Sequence, residues 1–155
     1  MGCNGGDMAL AMKYVSYNGL ESETDYPYTG RDGNCKYDAT KAKTKCKGPK
    51  NITPKDPNAL MNAIIENPVS IAIEADTMVF QFYGGGVLKS TSCGTDLDHG
   101  VLLIGYGTEN MVDYWLLKNS WGSGWGEKGY FKLLRDMTKK GPGICGVQLE
   151  PVQPL

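Results

Sequence analysis

Lys118-Asn119-Ser120-Trp121-Gly122-Ser123-Gly124-Trp125-Gly126 is the stretch on which the reading of this chain turns. Two tryptophans stand four apart among glycines. The combination is costly: glycine loosens the backbone, whereas tryptophan needs a shaped pocket and a partner for its N–H. Alone, the stretch reads equally well as a glycine-rich turn with two buried anchors. Its surroundings narrow the choice. Tyr114 to Lys118 before it and Tyr130 to Leu134 after it are short β-prone runs, as are Val69 to Ile73 and Gly100 to Tyr106 further upstream. Gly84-Gly85-Gly86, Gly105-Tyr106-Gly107 and Gly122-Ser123-Gly124 punctuate them. Short strands separated in this way point to an antiparallel sheet or barrel.

The N-terminal third has another texture. Met8, Met12 and Val15 fall at helical spacing within residues 6–18, and Gly19 suits a helix stop. Residues 20–56 are rich in Gly, Pro, Lys, Asp and Thr and read as loop, with Tyr26-Pro27-Tyr28 as a packing anchor. A short helix is expected over 57–66, ended by Asn67-Pro68. The shift in composition sets a boundary near residue 56, giving 1–56 and 57–155 as the two parts. The fold class expected is α+β.

Charge excludes some functions. Sixteen basic and seventeen acidic residues leave a net charge of −1 over 155 residues. There is no basic excess to neutralise phosphates, so no nucleic-acid partner is expected. The longest apolar runs, such as Val101-Leu102-Leu103-Ile104, are too short to cross a bilayer, so no membrane partner is expected either. No signal peptide opens the chain; targeting, if any, is expected outside it. Five cysteines (Cys3, Cys35, Cys46, Cys93 and Cys145) are widely spaced and accompanied by a single histidine. Structural zinc wants clustered ligands, so disulfides in an oxidising compartment are the better reading, and an odd number leaves at least one thiol over. Asn51-Ile52-Thr53 is a glycosylation sequon weakened by Pro54.

Two more segments complete the picture: Asp98-His99-Gly100 at a strand entrance, and Gly2-Cys3-Asn4-Gly5-Gly6. With Pro68-Val69-Ser70-Ile71-Ala72, Tyr83-Gly84-Gly85-Gly86, Cys93-Gly94, Asn119 to Gly126, Gly129-Tyr130 and Cys145-Gly146, the chain resembles the papain family, which includes cathepsins L and B. The segments come in the family's order and run over nearly the whole chain. The resemblance implies a papain-like fold: a remnant of the helical lobe plus the antiparallel β-barrel-like lobe. It implies that His99 is the general base and later the acid, and that Asn119 orients its ring. Trp121 would cover that bond, and Trp125 would support the leaving-group wall. Protein or peptide substrates are implied, and no cofactor or metal.

The nucleophile is expected before residue 1. In this family it lies near the mature N-terminus, about 130–150 residues ahead of the histidine and asparagine. None of the five cysteines stands in the family's Gly-Ser-Cys-Trp context. The expected partner is therefore an N-terminal segment or chain bearing the catalytic cysteine. By the resemblance, Cys93 pairs with Cys145, and Cys3 and Cys35 pair outside the chain. Cys46 has no assigned partner: it bonds Cys35 or stays free.

The resemblance also implies a substrate groove. Gly5 and Gly6 would offer backbone to an extended substrate. Met8, Ala72, Leu97 and Asp98 would line the pocket for the second residue before the scissile bond, with Trp121 beyond. Glu150 would lie at the pocket floor, where cathepsin B also has a glutamate and accepts both Arg and Leu. Gly5 and Gly6 as a helix start, Met8 as core and Glu150 as a solvated charge are the plainer alternatives. The expected function is the C-terminal part of a papain-like cysteine endopeptidase, inactive alone and lysosomal, vacuolar or extracellular. A non-catalytic binding or structural module is the alternative.

Overall fold

The computed structural model describes residues 1–155. The chain divides into two compact units, one formed by 1–50 with 154–155 and the other by 51–153.

In the first unit, helix α1 spans Met8–Asn18. Asp7 caps its start by accepting from Leu10 N at 2.7 Å, which satisfies one of the donors a helix leaves open. Gly19 ends it at φ 86°, donating its N–H to Val15 O. Only glycine suits this position: a Cβ would meet the Ala42 Cβ at 3.0 Å and Thr44 O at 3.1 Å. Residues 20–50 are mostly irregular, with a short 3₁₀ turn at Ala39–Lys41 and a bridge between Leu20 and Thr44. Tyr37 donates its hydroxyl to Asn18 O and packs edge-on against Tyr14. No hydrophobic side chain of residues 1–50 is buried, and Leu10, Tyr17 and Tyr28 are largely exposed.

The second unit holds the core. Helix α2 is Pro57–Glu66, with Asp56 accepting from Asn58 N and Ala59 N and proline in the first turn. Helix α3 is the single turn Met78–Gln81. Along the whole chain the strands are β1 (Pro49–Asn51), β2 (Val69–Ile73), β3 (Val87–Leu88), β4 (His99–Glu109), β5 (Val112–Lys118), β6 (Tyr130–Leu134) and β7 (Val152–Pro154), with β1 and β7 running across the ends of the second unit. They form one sheet in the order β1-β7-β2-β4-β5-β6-β3. Val69, Ile71 and Ile73 of β2 face inward, alternating with Ser70 and Ala72. With Leu60, Phe80, Leu103, Trp115, Leu117, Phe131 and Leu133 they make a continuous buried cluster. Each such side chain contributes about 1.5–3 kcal/mol on leaving water.

The sheet is mixed where an antiparallel one was expected. β2, β4, β5 and β6 are antiparallel neighbours, but β3 pairs parallel to β6 through Val87↔Lys132 and Leu88↔Leu133. The long stretch of chain between them makes this possible, since parallel strands need a crossover and cannot be joined by a hairpin.

Candidate active site

His99 opens β4 opposite Ile73 of β2. Asn119 follows the last residue of β5, and its N–H donates to Gly129 O at 2.9 Å. The β4–β5 ladder pairs Leu102 with Lys118, so the start of one strand and the end of the other lie at the same end of the sheet. There His99 Nε2 meets Asn119 Oδ1 at 2.8 Å. Ser120 N–H donates to the same Oδ1, also at 2.8 Å. A backbone N–H needs an acceptor, which identifies the shared atom as oxygen. An amide oxygen only accepts, so Nε2 carries the hydrogen in the neutral ring and Nδ1 is left as the basic nitrogen. Asn119 is buried, and its Nδ2 has no hydrogen-bond partner.

Trp121 packs against the His99 ring. Its ring centroid is 5.1 Å from that of His99, with the planes inclined by 34°. It is 40% exposed, so the ring is in contact with both the protein and solvent. Behind it, Phe80 and Trp125 pack edge-on at 5.5 and 5.1 Å. Trp125 is held in turn by Tyr83 and Phe131 and donates its indole Nε1–H to Gln81 O at 2.8 Å. The glycines of 122–129 allow the turn; the aromatic stack determines where its tryptophans rest.

A charged cluster lies behind the stack. Glu127 Oε2 pairs with Lys132 Nζ at 2.8 Å, and Glu127 Oε1 accepts from Gly86 N at 2.7 Å. The Lys132 hydrogen bond, assisted by Gly86 N–H, holds the Glu127 carboxyl below its ordinary range and outweighs its partial burial. Glu127 and Glu109 raise the Lys132 ammonium. Burial pushes the Tyr83 hydroxyl up to about 12. Tyr83 opens the Tyr83-Gly84-Gly85-Gly86 segment, but no motif in the sequence points to Gln81, Glu127 or Lys132. The available signal was Trp125, whose N–H needs an acceptor wherever the ring packs.

The other expected site residues fall as follows. In the first unit, Gly5 and Gly6 are exposed, and a Cβ at either would meet nothing within 4 Å. Met8 is half-buried and is the first residue of α1. In the second unit, Ala72 is half-buried on the face of β2 opposite the core. Leu97 is half-buried against the turn at Gly146, where a Cβ would come within 2.6 Å of its Cδ2. Asp98 turns its carboxylate to Ala75 N (2.7 Å) and Asp76 N (3.2 Å), so its oxygens hold the turn after β2. Glu150 is exposed. Cys93 and Cys145 form a disulfide; Cys3 and Cys35 are free and exposed. Cys46 is also free, with its thiol donating to Met12 O at 3.3 Å.

Known proteins resemble this chain over its whole length. The family model for papain family cysteine proteases matches residues 1–155. The chain is 44% identical over 155 residues to the senescence-specific cysteine protease SAG39 of Oryza sativa subsp. indica, covering 99% of this chain and 45% of that one. It is 44% identical over 156 residues to the germination-specific cysteine protease 1 of Arabidopsis thaliana, covering 99% and 41%. The chain thus spans less than half the length of these relatives. Among solved structures, the bromelain protease of Ananas comosus in complex with the E64 inhibitor superposes with a TM-score of 0.93 at 35% identity, covering 99% of this chain and 71% of that one. The digestive procathepsin L 3 of Tenebrio molitor gives 0.89 at 40% identity, covering 99% and 49%. The motifs, the sheet with its His99–Asn119 pair, and a family match over the whole length lead to one conclusion: the chain belongs to the papain family of cysteine proteases.

Proposed function

We propose that this chain supplies the base-bearing part of an endopeptidase that hydrolyses peptide bonds through a Cys-His-Asn site, with the thiol coming from residues outside these 155. The observation that carries this reading is the His99 Nε2–H···Oδ1 Asn119 bond of 2.8 Å, with the identity of its oxygen set by Ser120. It leaves Nδ1 free to take a proton from a thiol, giving a thiolate–imidazolium pair. The thiolate attacks the peptide carbonyl carbon. His99 then donates its Nδ1 proton to the leaving amine as the C–N bond breaks. In the second half, His99 takes a proton from water, which attacks the thioester and releases the acid. Throughout, Asn119 keeps the ring in one orientation, and Trp121 limits competing water.

The first unit supports an N-terminal partner. It buries no hydrophobic side chain of its own, and Cys3 and Cys35 are exposed thiols. Surface of this kind calls for a cover. Gly5 and Gly6 offer open backbone for pairing with an extended peptide. The Cys93–Cys145 disulfide favours a lysosomal, vacuolar or extracellular location.

The test is reconstitution. Purified 1–155 should not turn over a fluorogenic dipeptide substrate. Supplied with an N-terminal segment carrying Gly-Ser-Cys-Trp, it should gain an activity that a thiol-directed epoxide blocks. Activity of 1–155 alone that survives repurification and is blocked by the epoxide sinks the reading. So does a reconstituted pair that binds peptide without cleaving it, which is the outcome expected of a binding module.

A further inference from the structure

We propose that Glu127 is a positioning residue for His99, acting through the Gly86 loop, Trp125 and Trp121. The inference rests on the reading of His99 as the base only for its functional meaning, because the geometry itself concerns the ring's cover.

The loop Gly84-Gly85-Gly86 has no side chains with which to anchor itself. Gly85 and Gly86 both adopt positive φ, at 154° and 74°. Such a segment has much conformational freedom to lose and needs ties from outside. Both backbone groups of Gly86 are claimed by side chains. Its N–H donates to Glu127 Oε1 at 2.7 Å, and its carbonyl accepts from the Tyr83 hydroxyl at 2.6 Å. Tyr83 O–H has one proton, and at 3.4 Å Glu127 Oε1 is the poorer acceptor, so the two ties are separate. The Tyr83 oxygen also accepts from Lys132 N at 3.2 Å. Gly85 lies against the carboxylate, since a Cβ there would be 3.4 Å from Glu127 Oε1.

Glu127 also closes the turn that bears the tryptophans. Its N–H donates to Tyr130 O at 2.9 Å, and its Oε2 holds Lys132 of β6. One carboxylate therefore fastens the tryptophan turn to β6 and to the glycine loop that follows α3. The end of α3 supplies Gln81 O, the acceptor for the Trp125 indole. Trp125 braces Trp121, which lies on His99. Removing the carboxylate frees the glycine loop and the turn together, and the cover over the His99–Asn119 bond loosens.

The test uses the 155-residue chain and does not need activity. His99 is the only histidine, so its imidazole N–H signal has a single assignment. Exchange of that proton with water is measured by NMR in wild type, Glu127→Ala and Glu127→Gln. The amides of Leu103 and Trp115, both in the core, serve as the reference for global stability. Loss of a charge-assisted bond predicts about tenfold faster exchange at His99 in Glu127→Ala, with the reference amides changed by less than about twofold. Should Glu127→Ala not fold, Glu127→Gln is read instead. It can still accept from Gly86 but loses the ion pair, and about threefold faster exchange is expected. Unchanged His99 exchange in a folded variant overturns the proposal. So does a rise that the reference amides share in full, which is plain destabilisation. A His99 N–H that already exchanges freely in wild type overturns it too.

Discussion

The imidazole of His99 reaches Asn119 Oδ1 at 2.8 Å across 20 residues of chain, while the Asn119 amide nitrogen is buried without a partner. The oxygen therefore does the positioning, and the nitrogen does not contribute to it. Asn119→Ala removes the only acceptor that distinguishes the two imidazole nitrogens. Under the proposed function, kcat of the completed enzyme should fall by about 10²–10⁴-fold, with KM changed far less, because the base is then held in no preferred tautomer. Steady-state kinetics on the reconstituted protein checks it. A loss confined to KM would mean that Asn119 acts on substrate and not on His99.

The Cys93–Cys145 disulfide joins residues 52 apart in the second unit. Replacing both cysteines with alanine should lower unfolding stability by about 2–4 kcal/mol. Urea titration followed by tryptophan fluorescence would read this, because Trp115, Trp121 and Trp125 all lie in the second unit. Cys3→Ala and Cys35→Ala, at exposed free thiols, should leave the midpoint within error. If they shift it as much as the double variant does, the first unit depends on its thiols in a way that the free geometry does not account for.

Tyr83 gives the second unit a dependence on alkaline pH. Burial raises its hydroxyl from 10.0 to about 12, so the folded state keeps the proton where the unfolded chain gives it up. Its contribution is complete below pH 10 and is lost as pH rises toward 12, because the unfolded state binds fewer protons in that window. The loss should reach roughly 2–3 kcal/mol. Tyr83→Phe starts less stable, having lost the bond to Gly86 O, but lacks this decline. The stability difference between wild type and variant should therefore shrink between pH 10 and 12. A constant difference across the window would show that the hydroxyl does not titrate in the way its burial demands.

Some of this was legible in the sequence, and the reasons are local. Helix α2 and strands β2 and β6 coincide with their expected runs because their signals are short-range. Asp56-Pro57 starts one, Asn67-Pro68 separates it from the next, and alternation carries both strands. His99 and Asn119 were legible only through motifs, since nothing near either residue announces a bond across 20 positions. β1, β3 and β7 lie outside the expected strands, β1 within the stretch expected as loop. β3 is two residues held by β6, and β7 pairs with β2 through Ser70↔Val152. A strand whose partner lies far along the chain leaves little trace in its own composition. The expected face of α1 is present as a helix, but none of its residues is fully buried. Periodicity reports a face that can be covered, and not whether these residues cover it.

Glu150 leads to the last prediction. It is exposed, and the turn just before it, at Gly146, packs against Leu97. Under the proposed function, Ala72 and Leu97 line an apolar pocket and Glu150 brings a carboxylate to it. A carboxylate facing apolar walls is costly to desolvate when unpaired. A guanidinium recovers that cost by pairing with it, while its aliphatic stem covers the walls. Exposure also lets Glu150 turn toward water when leucine occupies the pocket, so both side chains are accommodated. The completed enzyme should accept Arg as well as Leu two residues before the scissile bond. Glu150→Ala should lower kcat/KM for the arginine substrate by about tenfold and leave the leucine substrate within about twofold, as expected for one partly solvated charge pair. Matched fluorogenic substrates measure the ratio directly. An Arg-to-Leu ratio that does not change on substitution would place Glu150 outside the pocket, as a solvated charge beside Pro151.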